Sequence, residues 1–474
     1  MLGKVSYFGL NRTVRQVEVW RITTWWRDSC SKSLFPPSSE TAALHMKSRS
    51  ILAIAMFVLL CGALASGLAF PSLHGPPPIR VGVLHSFSGT MAISELPVAE
   101  AELLAIEEIN AAGGLLGGRR VEAVRADGGS SGPVFADAAR HLLEREKVCA
   151  VFGCWTSASR KTVAPIFEQR GGLLFYPVQY EGLEQSPNII YLGAAPNQQI
   201  IPAVKWTFDN LGTRVYLVGS DYVFPHAANA VIKDQLKALG GQVVGEDYVA
   251  LGGGGARLAE VVARIKAAAP DVILNTINGD TNVAFFRELR AAGIHPKDVP
   301  TVSFSIGETE LPALDAATCA GDYAVWNYFQ SQAGGNNRTF VRAFQQRYGR
   351  ERVVSDPMEV AYCAVKLWAQ AVEEAGTEET AAVQRTILGQ SMAAPEGVIL
   401  IDQETRHSWR SVRVGRIELD GQFSIVWDSR RPIRPQPFPL SRSRSEWEAF
   451  LLQLYTRWDR NWSAPGPATQ GGMN

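Results

Sequence analysis

The chain of 474 residues carries no excess of either charge. Lys plus Arg and Asp plus Glu both number 46, so the formal net charge is zero. Proteins that bind nucleic acid or an anionic membrane surface usually show a basic excess or a basic patch. The balance therefore argues against a nucleic acid or an anionic membrane as the partner.

Cysteine is scarce, and no CxxC or Cys/His spacing typical of a metal site occurs. Four cysteines follow residue 65, and two of them, Cys149 and Cys154, lie on one predicted strand. Five strand residues span roughly 16–17 Å, whereas a disulfide needs Cα atoms within about 7 Å. The sequence therefore predicts no metal, no cofactor and no disulfide framework, with a Cys319–Cys363 pair left open.

Long apolar runs are absent after residue 65. The run at 51–65 follows a short basic region that begins at Met46, and it ends in the small-x-small pattern Ala63-Leu64-Ala65. This order is typical of a secretory signal peptide, and the run is shorter than the roughly 20 apolar residues of a membrane span. We therefore predict export through a signal at 46–65, with lipid attachment at Cys61 as a lesser alternative. Residues 1–45 are then either untranslated or part of a long leader, and 66–78 form a Pro-rich linker.

From residue 79 onward, strand-like and helix-like patterns alternate in two similar series. Strands that alternate with helices of 10–15 residues indicate βαβ units and a parallel sheet. The duplication predicts an α/β fold of two doubly wound parallel-sheet lobes joined by a hinge. We assign 79–196 plus about 325–405 to the N-terminal lobe, and 197–324 plus about 406–440 to the C-terminal lobe.

The last part of the chain has a different pattern. Residues 408–429 contain two alternating strands joined by Asp420-Gly421, which is a strong hairpin signal. Residues 441–474 are predicted to form a helix and a tail, and the aromatic-rich helix is expected to pack on a lobe.

Polar and aromatic residues gather in the loops that follow the predicted strands. In open α/β sheets, ligands bind beyond the carboxyl ends of the strands. The loops aim aromatic walls, hydroxyls and carboxylates into one cleft between the lobes, which suits reversible binding of a small neutral polar molecule. The candidate ligand-binding residues are Ser86, Trp155, Thr156, Ser157, Tyr176, Val178, Gln179, Tyr222, Asp280 and Glu308.

Two other interpretations of these loops are weaker. The stretch 152–160 could be a plain capping turn, with Thr156 or Ser157 as the N-cap. Cys154 could be a nucleophile, because a helix N-terminus lowers the pKa of a thiol, but nothing in the sequence pairs it with His85 or His226 as a base. We expect a buried structural cysteine and no catalysis.

Long phrases of the sequence resemble the type I periplasmic solute-binding proteins of ABC transporters. The similarity runs from about 79 to 465, and it is greatest to the urea-binding component of urea uptake systems. The phrases that carry it include HSFSGTMAISE, LLAIEEINAAGG, VFGCWTSASRK, YPVQYEGLEQSPNIIYLGAAPNQQI, GSDYVFP, LNTINGD, SFSIGE and DGQFSIVW. The resemblance implies a periplasmic protein of two lobes joined by three crossovers. It also implies closure on a ligand that is passed to permease subunits at the membrane.

The resemblance also implies roles for the loop residues. Thr156 and Ser157 would meet a ligand carbonyl, helped by backbone N–H groups of their loop. Tyr176 and Tyr222 would flank the ligand, and Trp155 would form a wall.

Asp280 would accept N–H groups of the ligand, with Glu308 as a weaker candidate. Urea offers one carbonyl and four N–H donors, and each would need a partner in a closed site. Three alternatives stay open at this point. They are a cytoplasmic amide sensor that regulates an amidase operon, a branched-chain amino acid binder using the helix N-terminus at 156–159, and amide hydrolysis at Cys154.

Overall fold

The computed structural model describes residues 76–465 together with Met56. By contacts the chain divides into Met1–Leu73 and His74–Asn474, and the second unit holds the whole fold described below. Apart from Met56, the predicted signal peptide at 46–65 lies outside the described residues. Among the residues that are described, no helix is both long and apolar enough to cross a membrane.

Strands and helices alternate along the described chain as the sequence predicts. The strands are β1 Ile79–His85, β2 Val121–Asp127, β3 Ala150–Gly153, β4 Leu174–Tyr176, β5 Ile189–Tyr191, β6 Arg214–Ser220, β7 Gln242–Val249, β8 Val272–Thr276, β9 Thr301–Ser303, β10 Tyr323–Trp326, β11 Ser391–Ala394, β12 Gly397–Ile401, β13 Ser408–Trp409, β14 Arg413–Ile417 and β15 Phe423–Asp428. The helices are α1 Ala92–Ala111, α2 Gly132–Arg140, α3 Ser157–Arg170, α4 Ile200–Asn210, α5 Val223–Leu239, α6 Ala256–Ala268, α7 Thr281–Ala291, α8 Leu311–Leu314, α9 Ala316–Cys319, α10 Gly335–Tyr348, α11 Asp356–Ala375, α12 Thr380–Thr386 and α13 Arg444–Arg457. Short π and 3₁₀ turns occupy His141–Arg145 and Pro196–Gln198.

The first lobe is built on a parallel sheet with strand order β2-β1-β3-β4-β5. Its central strands are apolar on both faces, as expected for a sheet covered by helices on each side. One face packs against α1 and α11, where the Phe152 ring meets the Trp368 ring edge-on at 5.8 Å. The other face packs against α2 and α3 through Phe135 and Phe167. The first βα series of the sequence thus forms one doubly wound layer structure.

The second lobe contains a seven-stranded sheet with order β15-β14-β10-β9-β8-β6-β7. The strands from β7 to β10 pair in parallel, and the β14–β15 hairpin adds an antiparallel edge. The hairpin turn contains Gly421 at φ +75°, a left-handed conformation that glycine adopts without strain. The hairpin predicted from Asp420-Gly421 is confirmed.

The chain passes between the two sheets three times, after β5, after β10 and after β13. A small antiparallel sheet of order β11-β12-β13 precedes the third passage. The predicted residue limits of the lobes stay a prediction.

A buried charge cluster joins the three passages. The Arg410 guanidinium lies 3.3 Å from Asp356, 3.1 Å from Glu359 and 2.5 Å from Glu396, and it also donates to the Leu192 carbonyl at 3.3 Å. The Asp356 carboxylate accepts from the backbone N–H groups of 327 and 328 at 3.1 and 2.8 Å. Burial raises the pKa of Glu396 to about 8. One cation thus connects the chain segments on which a hinge would depend.

Helix α13 packs on the second lobe, as predicted for the C-terminal helix. Ser443 caps it, because the Ser443 hydroxyl accepts from the Glu446 N–H at 3.3 Å while the Glu446 carboxylate accepts from the Ser443 N–H at 2.7 Å. Trp447 and Leu454 are buried in the core of that lobe. The helix therefore fixes the segment that follows it against the body of the protein.

Candidate ligand-binding site

The turn between β3 and α3 opens the N-terminus of α3 toward the space between the lobes. A Cβ atom at Gly153, which has φ +144°, would lie 2.0 Å from the Leu84 carbonyl oxygen, so only glycine fits there. The Thr156 hydroxyl caps the helix by accepting from the Ser159 N–H at 3.0 Å. Among the described residues, the N–H groups of Ser157 and Ala158 have no hydrogen-bond partner. The turn therefore caps the helix through Thr156. It also leaves two backbone N–H groups free at the positive end of the helix dipole.

The Ser157 hydroxyl is already committed inside the first lobe. It donates to the Glu181 carboxylate and accepts from the Arg160 guanidinium at 3.1 Å. Arg160 is fully buried, binds Glu181 at 3.1 Å and Glu184 at 2.9 Å, and lies under the Tyr176 ring at 4.7 Å. The resemblance predicts that the Ser157 hydroxyl meets a ligand carbonyl. In this structure its proton is directed at Glu181, so the free backbone donors are better placed for that contact.

The residues after β4 support the turn and cross to the second lobe. The Tyr176 hydroxyl donates to the Trp155 carbonyl at 2.5 Å and is fully buried. Val178 is part of the first-lobe core. The Gln179 amide donates to the Phe304 carbonyl at 2.8 Å, which lies in the second lobe. Tyr176 and Val178 therefore support the β3–α3 turn from within the first lobe, and Gln179 bonds to the second lobe.

The candidate residues on the second lobe's side of the cleft differ in how deeply they are buried. The Trp155 indole N–H donates to Asn278 Oδ1 at 3.4 Å across the cleft. Tyr222 is buried, and burial raises the pKa of its hydroxyl.

Asp280 lies on the exposed rim of the cleft, where its carboxylate accepts from the Thr90 hydroxyl. Glu308 is buried, and its Oε1 accepts from the Gln330 N–H at 2.6 Å. Burial raises the pKa of Glu308 to about 8. Trp155 and Tyr222 are thus both buried, Asp280 lies on the rim and Glu308 is bonded to the Gln330 N–H, and a role for any of them in ligand binding stays a prediction.

A carboxylate that the sequence analysis missed lies deeper in the cleft. Glu95 accepts from the Ser86 N–H at 2.8 Å and lies 3.3 Å from His85 Nδ1, both through Oε2. Its other oxygen, Oε1, is buried and has no hydrogen-bond partner among the described residues. Glu102 lies on the other side of the same imidazole, 3.0 Å from Nε2. Glu95 and Glu102 are seven residues apart on one helix, so they share a face with its apolar residues, and that spacing was the available signal.

Charge balance explains how these acids are tolerated. Burial by itself lowers the pKa of His85, but Glu102 and Glu95 outweigh it and raise that pKa to about 9. Burial raises the pKa of Glu102. The His85 imidazole thus lies between two acids at the end of β1, and Glu95 Oε1 and Glu102 Oε2 are both left without a hydrogen-bond partner among the described residues.

Glu95, but neither His85 nor Glu102, borders a cavity of about 540 Å³. Small-molecule sites typically measure roughly 300–1,000 Å³. Its walls include Ser86, Glu95 and Thr156 from the first lobe, the start of α2, and Arg460 and Trp462 from the segment after α13. Of the ten predicted ligand-binding residues only Ser86 and Thr156 line this cavity, and the C-terminal segment forms another of its walls.

Several hydrogen bonds join the two lobes around the cleft. The Ser94 hydroxyl donates to Glu310 Oε1 at 2.8 Å, and both groups are buried. The Asp280–Thr90, Trp155–Asn278 and Gln179–Phe304 contacts cross the same boundary. The lobes are thus in a closed arrangement.

Cys154, His85 and His226, the residues considered for catalysis, are buried or bonded to neighbouring side chains. Burial raises the pKa of the Cys154 thiol, which disfavours a nucleophilic thiolate. His85 is held by its two acids, and His226 Nε2 lies 2.7 Å from the Asp221 carboxylate. Cys319 and Cys363 are free thiols in different lobe cores, so the disulfide left open above is not formed. Within 76–465 no group of His, Cys, Asp and Glu side chains is arranged so that it could hold a metal ion.

Comparison with known proteins gives a consistent family. The family model described as "Periplasmic binding protein domain" matches residues 79–444. The Leu/Ile/Val-binding protein homolog 6 of Brucella melitensis is 24% identical over 381 residues, which is 77% of this chain and 92% of that protein. The solute-binding protein of an ABC transporter from R. palustris, solved with 4-hydroxybenzoate, superposes with a TM-score of 0.67 at 23% identity over 76% of this chain and 98% of that one.

One further match is partial. A stretch of 118 residues is 34% identical to limonene hydroxylase of Geobacillus stearothermophilus, and it covers 25% of this chain but only 22% of that protein. The fold predicted from the alternating strands and helices is the fold of these solute-binding proteins.

Proposed function

Because the chain belongs to the periplasmic binding protein family, we propose that it is the extracytoplasmic receptor of an ABC uptake transporter, with urea or a short-chain amide as its ligand. The receptor would bind the ligand between its lobes and deliver it to permease subunits. The similarity to solute-binding proteins over about three quarters of the chain supports the transport role, and the chemistry of the cleft supports the ligand.

The observation that carries the ligand assignment is the unpartnered oxygen of Glu95. A buried polar atom without a partner costs roughly 1–3 kcal/mol, so a ligand that donates an N–H there gains that amount. The free N–H groups of Ser157 and Ala158 supply the opposite chemistry, since they donate to a carbonyl. Urea and simple amides combine one carbonyl with N–H groups and match both requirements without carrying a net charge.

A branched-chain amino acid is the second candidate. Its carboxylate would meet the α3 N-terminus, and its ammonium would meet Glu95. The similarity to Leu/Ile/Val-binding proteins favours this alternative. A benzoate, the class of ligand bound by the R. palustris protein, has no N–H group and would place a second negative charge near Glu95.

Calorimetric titration of the exported protein with urea, acetamide, leucine and benzoate tests the proposal. We expect saturable heat at one ligand per chain for urea or acetamide. Heat for leucine alone would replace the proposal with the amino acid candidate. Heat for benzoate alone, or for none of the four, would overturn it. A cytoplasmic sensor would show the same binding, but it would stay in the cytoplasm with residues 46–65 uncleaved. Mass spectrometry of the separated cytoplasmic and periplasmic fractions would detect this.

A further inference from the structure

The segment that follows helix α13 is anchored on the second lobe. Residues 459–464, which we call the C-terminal strap, lie beyond α13 and beyond the part of the chain that the family model matches. The helix before the strap is fixed, because Trp447, Leu454 and Trp458 are buried in the core of the second lobe. The strap would therefore move with the second lobe when the lobes open.

The strap bonds to the backbone at the N-terminus of α5. A helix usually begins at Ser, Thr, Asp or Asn, because such a side chain accepts from a free backbone N–H group. The N-cap residue of α5 is Tyr222, whose side chain makes no capping hydrogen bond. The Val223 N–H donates instead to the Trp462 carbonyl at 2.9 Å, and the Ala464 N–H donates to the Asp221 carbonyl at 2.9 Å. The strap thus holds the backbone on both sides of a predicted ligand-binding residue.

One side chain of the strap contacts the first lobe. The centroid of the Trp462 ring lies 5.0 Å from Lys161 Nζ on α3, and both residues line the cavity described above. A cation within about 6 Å of a ring centroid is attracted to the face of the ring. Lys161 is only 7% exposed and its Nζ lies 2.7 Å from Glu184, so the ammonium is held in place within the first lobe. Opening of the lobes would therefore separate the ring from the cation.

We propose that the C-terminal strap is a latch, in which Trp462 docks on Lys161 when the lobes close and thereby slows the release of the ligand. Trp462 is then a positioning residue, which acts through lobe closure and through the backbone at Tyr222. The inference rests on the proposed function, because a latch affects binding only if the ligand is held between the lobes. It adds to that function a chain segment that sets how long the ligand stays bound.

A double-mutant cycle on ligand release tests the latch. Stopped-flow fluorescence with urea gives the association and dissociation rates of the parent, Trp462→Ala, Lys161→Met and the double variant. Lys161→Met leaves Glu184 paired with Arg160 at 2.9 Å, so that carboxylate keeps a cation. We expect each single variant to raise the dissociation rate about threefold or more and to leave the association rate unchanged, because the contact forms only on closure. The double variant should dissociate no faster than the single variants, since both remove one contact. Trp462→Phe keeps an aromatic ring and should recover part of the loss.

Trp427→Ala is the matched control, because Trp427 is also half-buried and packs against the same second-lobe core. It should leave both rates unchanged. Urea binding with an unchanged dissociation rate in Trp462→Ala, or effects that multiply in the double variant, would overturn the latch and leave the proposed function standing. Binding of leucine in place of urea would overturn the proposed ligand, and the same cycle run with leucine would then support or overturn the latch. Failure of the parent to bind either compound would overturn both proposals.

Discussion

The hydrogen bond between Ser94 and Glu310 should control how readily the lobes close. The Ser94 hydroxyl, on α1 of the first lobe, donates to Glu310 Oε1 of the second lobe at 2.8 Å. Ser94 is only 2% exposed and Glu310 3%, so water does not replace the bond while the lobes are closed. Opening the lobes would hydrate both groups. Ser94→Ala should therefore destabilise the closed arrangement far more than the open one.

The magnitude follows from the burial of the acceptor. Removing one partner of a buried hydrogen bond costs roughly 1–3 kcal/mol, and each 1.4 kcal/mol is about a factor of ten in an equilibrium. The ratio of closed to open protein should thus fall by about fivefold or more. Because the ligand binds the closed form, the apparent Kd should rise by up to the same factor.

Ser186→Ala is the matched control. The Ser186 hydroxyl donates to Glu168 Oε1 at 2.6 Å, but both residues belong to the first lobe. Titration with urea should show a raised Kd for Ser94→Ala alone, and small-angle scattering should show a larger radius of gyration for that variant. An unchanged Kd for Ser94→Ala, or an equal rise for Ser186→Ala, would refute the reasoning.

Three further predictions concern buried groups. Burial raises the pKa of Glu308 from 4.5 to about 8, so the folded chain keeps a proton that the unfolded chain releases, and this group lowers stability as the pH rises through that range. Thermal unfolding of Glu308→Gln should show a flatter pH dependence there; an unchanged slope would contradict the assignment. Cys154 should resist alkylation at neutral pH until the chain unfolds, as read by site-resolved mass spectrometry, and rapid labelling would contradict its burial. Arg410→Met leaves three buried carboxylates without their cation and should lower the free energy of unfolding by about 3–5 kcal/mol, whereas the exposed Arg416→Met should have little effect in the same denaturant titration.

The fold was predictable because its signals are local. Strands β1, β2 and β3 each end in a turn and are followed by a helix whose apolar residues recur at helical spacing. The β14–β15 turn contains the Asp420-Gly421 pair typical of a hairpin. The antiparallel pairing of this hairpin with β10 and the charge cluster around Arg410 were not predictable. Both depend on segments distant in sequence that meet where the chain crosses between lobes.

The site was only partly predictable for the same reason. Position after a strand places a residue near the cleft, but it does not give depth, and Asp280 lies on the rim while Trp155 lies inside. Glu95 is on a helix with acids at several positions, and only its contact with His85 distinguishes it from exposed neighbours. The wall formed by the segment around Arg460 depends on how α13 packs, which the sequence pattern does not specify.

The most direct test of the ligand assignment is titration of Glu95→Gln and Glu102→Gln with urea and acetamide. Both acids contact the same imidazole, but only Glu95 borders the cavity. The account predicts that Glu95→Gln raises the Kd by at least about tenfold, the value of one hydrogen bond to a charged acceptor. It also predicts that Glu102→Gln leaves the Kd near that of the parent. Unchanged binding by Glu95→Gln, or an equal loss in both variants, would contradict the central claim that Glu95 recognises the N–H groups of the ligand.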